Sequence, residues 1–180
     1  MHGCWVMLCG PSGAGKDSVL SWAQAALEHH SRVRFARRLV TRAAHPGSDH
    51  DEIGRAAFQA LRQGGGLAWH WEAHGFDYGV RSSYAADVAD GRVVVVNGSR
   101  AHLLGLAQRE DVRRVLVTAP AALLQARLNA RGREEAQAVA LRLARNAALA
   151  PPAAEIEIRN DAGVEVAGAA LRDYLLELAS

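Results

Sequence analysis

Lysine is almost missing from this sequence. Of its 21 basic residues only Lys16 is a lysine, and the rest are arginines. So strong a bias reflects genomic composition. The exception therefore marks a place where a compact ammonium on a flexible stem is needed and a planar guanidinium does not fit. Cysteine is scarce too. Cys4 and Cys9 are the whole complement, with no C-x-x-C, which argues against the common zinc and redox motifs. Five residues apart on a short apolar run, the two thiols face opposite sides and are poorly placed to bridge. The expectation is a pair of buried free thiols in a reducing compartment. No apolar run approaches the roughly 20 residues that span a bilayer, and the run at residues 5–9 leads into a glycine-rich turn, unlike a signal peptide. A large charge of one sign is also lacking. The net charge is +2, which gives no broad footprint for nucleic acid or a membrane surface. These absences predict a soluble, cytoplasmic protein with neither nucleic acid nor membrane as a partner; monomer and homodimer both stay open.

What is present is an ordinary globular balance. Of 180 residues 49% are apolar and 22% charged, consistent with one domain large enough to bury a core. Residues 5–9 form a short apolar run of strand length, and residues 18–29 carry apolar side chains at helical spacing. Residues 32–39 alternate weakly and read as a second strand, residues 41–51 as a polar loop, and residues 53–63 as a helix closed by three glycines. Residues 67–73 and 76–80 read as a hairpin turning at His74-Gly75. The β-branched run at 92–96 is the clearest central strand. Helices at 82–90, 99–108, 121–131, 134–149 and 164–178 alternate with strands at 112–118 and 155–159. Such alternation predicts an α/β fold, a parallel sheet covered by helices on both faces in three layers.

The stretch GPSGAGKDS, Gly10 to Ser18, lies between the first strand and the first helix. That is the context a phosphate-binding loop requires. Backbone N–H groups of Gly10, Pro11, Ser12, Gly13, Ala14 and Gly15, proline excepted, can cradle phosphate oxygens at a helix N-terminus, with Lys16 reaching the β- and γ-phosphates of ATP. The usual pattern continues with a serine or threonine on magnesium. Here Asp17 takes that place and Ser18 follows one position late. A carboxylate can also bind magnesium, directly or through water. The strand at 92–96 ends in Asn97, where many loop-bearing kinases place an acid near the metal, so the acidic metal contact is read as moved to Asp17. An acid in a first helical turn is also favoured by the helix dipole with no metal at all.

Other clusters join this motif. Arg37, Arg38 and Arg42 follow the second strand, where guanidinium forks would meet an acceptor's phosphate near the loop; a solvated basic face is the alternative. The hairpin WHWEAHGFDYG offers His74 and Tyr78 as substrate contacts, with core packing the alternative for Trp69 and Trp71. Its two histidines four apart on strand backbone do not converge on a metal. The segment RLNARGREE, followed by Arg142 and Arg145, places arginines around a glycine. It reads as a lid over ATP in which Arg131 and Arg142 act on the transferring phosphoryl group, or as a surface helix with ordinary charge pairs.

Together GPSGAGK, VTR, the YG of the hairpin, RLNARG and RND resemble the guanylate-kinase-like superfamily along nearly the whole chain. Within it, GPSGAGKDS, RRLVTR, LAWHWEAHGFDYGV and VVVNGSR are most similar to the ribose 1,5-bisphosphate phosphokinases. The resemblance implies a P-loop nucleoside-monophosphate-kinase-like sandwich. Its core would span about residues 1–38, 92–130 and 150–180, its acceptor-binding insertion 39–91 and its helical lid 131–149. It implies ATP and magnesium as cofactors and a small sugar phosphate as substrate. The reaction implied is phosphorylation of ribose 1,5-bisphosphate to 5-phosphoribosyl 1-diphosphate, in phosphonate breakdown and supply of NAD and nucleotide synthesis. Lys16, Arg131 and Arg142 would be catalytic. Arg127, Arg159 and Asn160 would join the loop in holding ATP, and Arg38, Arg42, His74, Tyr78 and Asn97 would hold the acceptor. No tyrosine occurs between Thr41 and Trp69, and AHGFDYGV stands where guanylate kinases carry a guanine-site motif, which favours a sugar phosphate over a nucleotide. A guanylate kinase with a relaxed acceptor site and a non-catalytic binding module of the same fold are the rival readings.

Overall fold

Strand β1 (Cys4–Cys9) is buried along its whole length, and its alternation organises the core. Cys4, Val6 and Leu8 face one side, where they pack with Val19 and Ala23 of α1 (Lys16–Ala26) and with Leu171 and Leu175 of the C-terminal helix (Val164–Ala179). Trp5, Met7 and Cys9 face the other side. The two thiols thus sit in opposite cores, both free and buried. A strand apolar on both faces is what a parallel sheet between two layers demands. The computed structural model describes residues 2–45, 48–106, 109–130 and 153–180.

The central sheet has five strands in the order β2 (Val33–Phe35), β7 (Val93–Asn97), β1, β8 (Val112–Thr118) and β9 (Ile156–Arg159). Every pairing in it is parallel. Helix α5 (Ala121–Ala130) follows β8 and buries Leu124 and Leu128. On the Trp5 side lies a second sheet, in the order β4 (His50–Glu52), β3 (Arg38–Val40), β6 (Phe76–Arg81) and β5 (Leu67–Ala73). Its Val40, Trp69, Trp71, Tyr78 and Val80 close the second core against Val94, Val96 and Leu103, the last on α4 (Arg100–Gly105). Helix α2 (Arg55–Gln63) covers this sheet through Phe58, which is fully buried. Helix α3 (Ser83–Ala89) leads back from it to β7.

Two readings of the sequence need correction. Residues 32–39 are not one strand, because the run divides into β2 and β3, which belong to different sheets. At the break Ala36 N still donates to Val95 O at 2.8 Å, whereas Arg37 N donates to the Tyr84 hydroxyl at 3.0 Å and leaves the ladder. The loop assigned to 41–51 contains the start of β4, whose polar residues pair in parallel with Arg38, Leu39 and Val40. Such a short polar strand carries no alternation to reveal it. Among the described residues no helix is long and apolar enough to cross a membrane. The lid assigned to 131–149 lies outside the described residues.

Candidate active site

The carboxyl ends of β1 and β7 open into a cleft of about 480 Å³ between the two sheets. Parallel α/β sheets place ligands at this edge. The glycine-rich loop forms one wall through Gly10, Ser12, Gly13, Gly15, Lys16 and Asp17. Gly15 is the N-cap of α1 with a left-handed φ of 82°, and no side chain caps the helix. The first N–H groups of an α-helix have no acceptor within it, so they are available to an anion. A Cβ at Gly15 would also lie 2.4 Å from Asn160 Nδ2, and both constraints require glycine here. At Gly10 the constraint is close approach, because a Cβ would stand 2.1 Å from Val117 O.

The loop is braced from behind. Asn160 is buried and its Nδ2 donates to Ala14 O at 2.8 Å. Arg127 donates to Asn160 O at 3.0 Å and to Ala14 O at 3.4 Å. Sequence reading placed both side chains with ATP, and here they hold the loop's own main chain. Arg159 is exposed and pairs with Asp161 at 2.7 Å, away from the cleft lining. Ser18 is exposed on α1 and does not line the cleft either. Pro11 and Ala14 do not line the cleft; Pro11 O accepts from Lys16 Nζ at 3.3 Å, as does Gly10 O at 3.0 Å. Burial pushes the Lys16 ammonium below its usual range, partly offset by the Asp17 carboxylate. A cation held by main-chain oxygens in a poorly hydrated site has much to gain from phosphate oxygens.

The facing wall comes from the small sheet. Arg38, Arg42, His74 and Tyr78 all line the cleft, as does Asn97 at the end of β7. The pairing of β3 with β6 sets Val40 opposite Tyr78, which lays the arginines over aromatic faces. Arg38 lies 5.6 Å from the Tyr78 ring centre and Arg42 5.9 Å from that of Phe76. Trp71 stacks on Tyr78 at 5.5 Å with 8° between planes. Such contacts orient a guanidinium while leaving its edge to hydrogen-bond. His74 and Gly75 both have positive φ, 55° and 75°. They form the two-residue turn between β5 and β6, a conformation unusual for histidine.

The two walls meet through one amide. Asn97 Nδ2 donates to Asp17 Oδ1 at 2.8 Å and to Asp49 Oδ2 at 3.0 Å. Asp49 also pairs with Arg38, whose other nitrogen donates to Asn97 O at 3.0 Å. Burial alone would raise the Asp49 carboxyl, but the Arg38 charge and hydrogen bonds from Asn97, His50 and Arg38 hold it below the usual carboxylate range. Sequence reading missed Asp49 and Arg100. Asp49 sits in a polar stretch, and Arg100 follows the NGS turn on which the strand-end argument stopped. Both line the cleft, and the signal for each is tertiary. Arg131 and Arg142 lie outside the described residues.

The lining carries Lys16, Arg38, Arg42 and Arg100 against Asp17 and Asp49, a net positive balance suited to phosphates. The donor set also suits magnesium, which takes one or two carboxylates and completes its shell with water and phosphate oxygens. Asp17 would hold it, because this carboxylate is exposed at the loop's end and lines the cleft beside Lys16. Among the described residues no group of three or more histidines, cysteines or acids forms an all-protein metal cage.

Comparison with known proteins agrees with this architecture. A family model described as "AAA domain" matches residues 6–146. The chain is 42% identical over 171 residues to a ribose 1,5-bisphosphate phosphokinase of Acidiphilium cryptum, covering 95% of this chain and 91% of that protein. It is 43% identical over 179 residues to a bifunctional ribose 1,5-bisphosphokinase-thymidine phosphorylase of Azorhizobium caulinodans. That match covers 94% of this chain but spans only 25% of the larger protein. The structure matches a crystal structure of guanylate kinase from Anaplasma phagocytophilum with a TM-score of 0.69 at 20% identity, over 98% of this chain and 86% of that one, so the fold is guanylate-kinase-like. With a phosphate loop, an arginine-bearing second sheet and this degree of identity over almost its full length, the chain belongs to the ribose 1,5-bisphosphate phosphokinase family and is a phosphotransferase.

Proposed function

We propose that the protein transfers the γ-phosphoryl group of ATP to the 1-phosphate of ribose 1,5-bisphosphate, releasing 5-phosphoribosyl 1-diphosphate and ADP. The observation that carries this reading is the pairing, across one cleft, of the glycine loop with the arginines of the small sheet. In the reaction an oxygen of the acceptor phosphate bonds to the γ-phosphorus as the bond to the β,γ-bridging oxygen breaks. That acceptor oxygen is already ionised, so no general base is needed, and the protein acts by positioning and charge neutralisation. Lys16 exchanges its main-chain acceptors for β- and γ-phosphate oxygens. The α1 N-terminus and the loop amides bind the remaining phosphate oxygens. Arg42 and Arg38, steadied on their aromatic rings, set the acceptor, with His74 and Tyr78 beside them. Magnesium, held by Asp17 when bound, would neutralise charge on the donor phosphates.

The small sheet and its connections, residues 39–91, serve as the acceptor-binding region and the central sheet as the ATP-binding core. The product's place would be the supply of an activated ribose for nucleotide and NAD synthesis, fed by phosphonate breakdown. Phosphorus NMR of ATP mixed with ribose 1,5-bisphosphate, and separately with GMP, tests the reading. A new diphosphate signal with the sugar and none with GMP is the expected result. Conversion of GMP to GDP, or no turnover with the sugar, overturns it.

A further inference from the structure

Phosphates ask only for donors and positive charge. A carboxylate in a phosphate cleft therefore weakens binding unless its oxygens have another task. Asp17 has the magnesium side. Asp49 stands on the opposite side of Asn97, on the acceptor wall, and its surroundings are built to hold it. Asn97 Nδ2 and Arg38 both donate to Asp49 Oδ2. His50, only 1% exposed, places Nδ1 3.3 Å from Asp49 Oδ1. The Arg38 side chain is 11% exposed but that of Asp49 is 38% exposed and lines the cleft. Asp49 therefore pairs with Arg38 and still presents its carboxylate to the cleft. A carboxylate accepts about four hydrogen bonds. Among the described residues three are taken, so Oδ1 keeps room to accept another from the cleft. With Arg38 cancelling its charge, Asp49 offers acceptor oxygens without repelling phosphate.

We propose that Asp49 is a specificity-determining residue that accepts a hydrogen bond from a secondary hydroxyl of the acceptor sugar, with Asn97, Arg38 and His50 as the residues that position it. The proposal rests on a sugar bisphosphate being the acceptor. A hydroxyl is the one common group of such a molecule that needs an acceptor, and a site built to bond a hydroxyl rejects the analogue lacking it.

The test compares dissociation constants of ribose 1,5-bisphosphate with those of its 2-deoxy and 3-deoxy analogues, for the parent protein and for Asp49→Ala and Asp49→Asn. The parent should bind at least one deoxy analogue about tenfold or more weakly, the usual worth of a hydrogen bond to a charged group. In Asp49→Ala that ratio should fall close to one, and in Asp49→Asn it should shrink. The magnesium requirement of phosphoryl transfer should stay that of the parent in both variants. Equal ratios in parent and Asp49→Ala overturn the proposal, as does a parent that binds all three sugars alike. A raised magnesium requirement in Asp49→Asn would also overturn it by assigning the carboxylate to the metal. If the parent does not phosphorylate ribose 1,5-bisphosphate at all, the proposed function itself fails, which the NMR experiment reports separately.

Discussion

Asn97 and Asp17, 80 positions apart in the chain, are joined by a 2.8 Å hydrogen bond from the Asn97 amide to the Asp17 carboxylate. The amide at the strand end and the acid in the loop thus work as a pair, with the acid on the loop side. Asp17→Ala should raise the magnesium concentration for half-maximal activity by about tenfold or more. A titration that overlays the parent's would end the assignment of Asp17 to the metal. Asn97→Asp should be worse, since it sets a carboxylate within hydrogen-bonding reach of both Asp17 and Asp49. Its kcat/KM should fall about a hundredfold at pH 8 and recover partly toward pH 6, as a shared proton relieves the repulsion.

Lys16 is the position where the arginine bias of the chain fails, and the geometry explains why. Its ammonium bonds to Gly10 O and Pro11 O inside the loop, a space a planar fork does not fill in the same way. Lys16→Arg should lower kcat by about a hundredfold or more while circular dichroism stays that of the parent. Activity within a few-fold of the parent would contradict the role given to Lys16.

Asn160 grips the loop from outside the cleft, so its loss should loosen the loop and leave the acceptor site alone. Asn160→Ala removes the 2.8 Å bond to Ala14 O, a net loss of about 1 kcal/mol or somewhat more. The expected pattern is a lower Tm and a KM for ATP raised several-fold, with the KM for the acceptor unchanged. Equal rises in both constants would mean that Asn160 supports the whole cleft.

His102 supplies a pH dependence of stability. It packs between Trp69 and Trp71, with ring centres 6.1 and 4.7 Å away. Burial, with a smaller contribution from His70, pulls its pKa down to about 4. In the unfolded chain a histidine titrates near 6.5. Between those values the unfolded state binds the extra proton. The stabilisation is complete above pH 6.5 and is lost as pH falls toward 4, by at most about 3 kcal/mol. Urea midpoints at pH 7.5, 6 and 5 should show this slope, and His102→Gln should flatten it. An unchanged slope in the variant would place the titration elsewhere.

The legible parts of the fold were those whose signal is local. The run of four valines before Asn97, the glycine loop between strand and helix, and the His74-Gly75 turn can each be read from a few neighbouring letters. The run at 32–39 could not be divided correctly, because the antiparallel partners of Leu39 and Val40 come from β6, nearly forty positions later. Asp49 and Arg100 became visible only when the chain brought them beside Asn97 and the loop. Asn160 was picked from resemblance as a ligand contact, whereas its bond to Ala14 spans 146 positions. No periodicity records a contact of that range.

Only residues 36 and 37 separate β2 from β3. A fully stretched backbone from Phe35 to Arg38 is about 11 Å long, so the small sheet is leashed to the nucleotide half by a very short tether. On the proposed reading, the spacing between donor and acceptor phosphates would be metered by main chain as well as by side chains. A swing of the small sheet would have to be taken up at this tether and at the return through α3, and lengthening the tether would widen the gap between the two walls of the cleft.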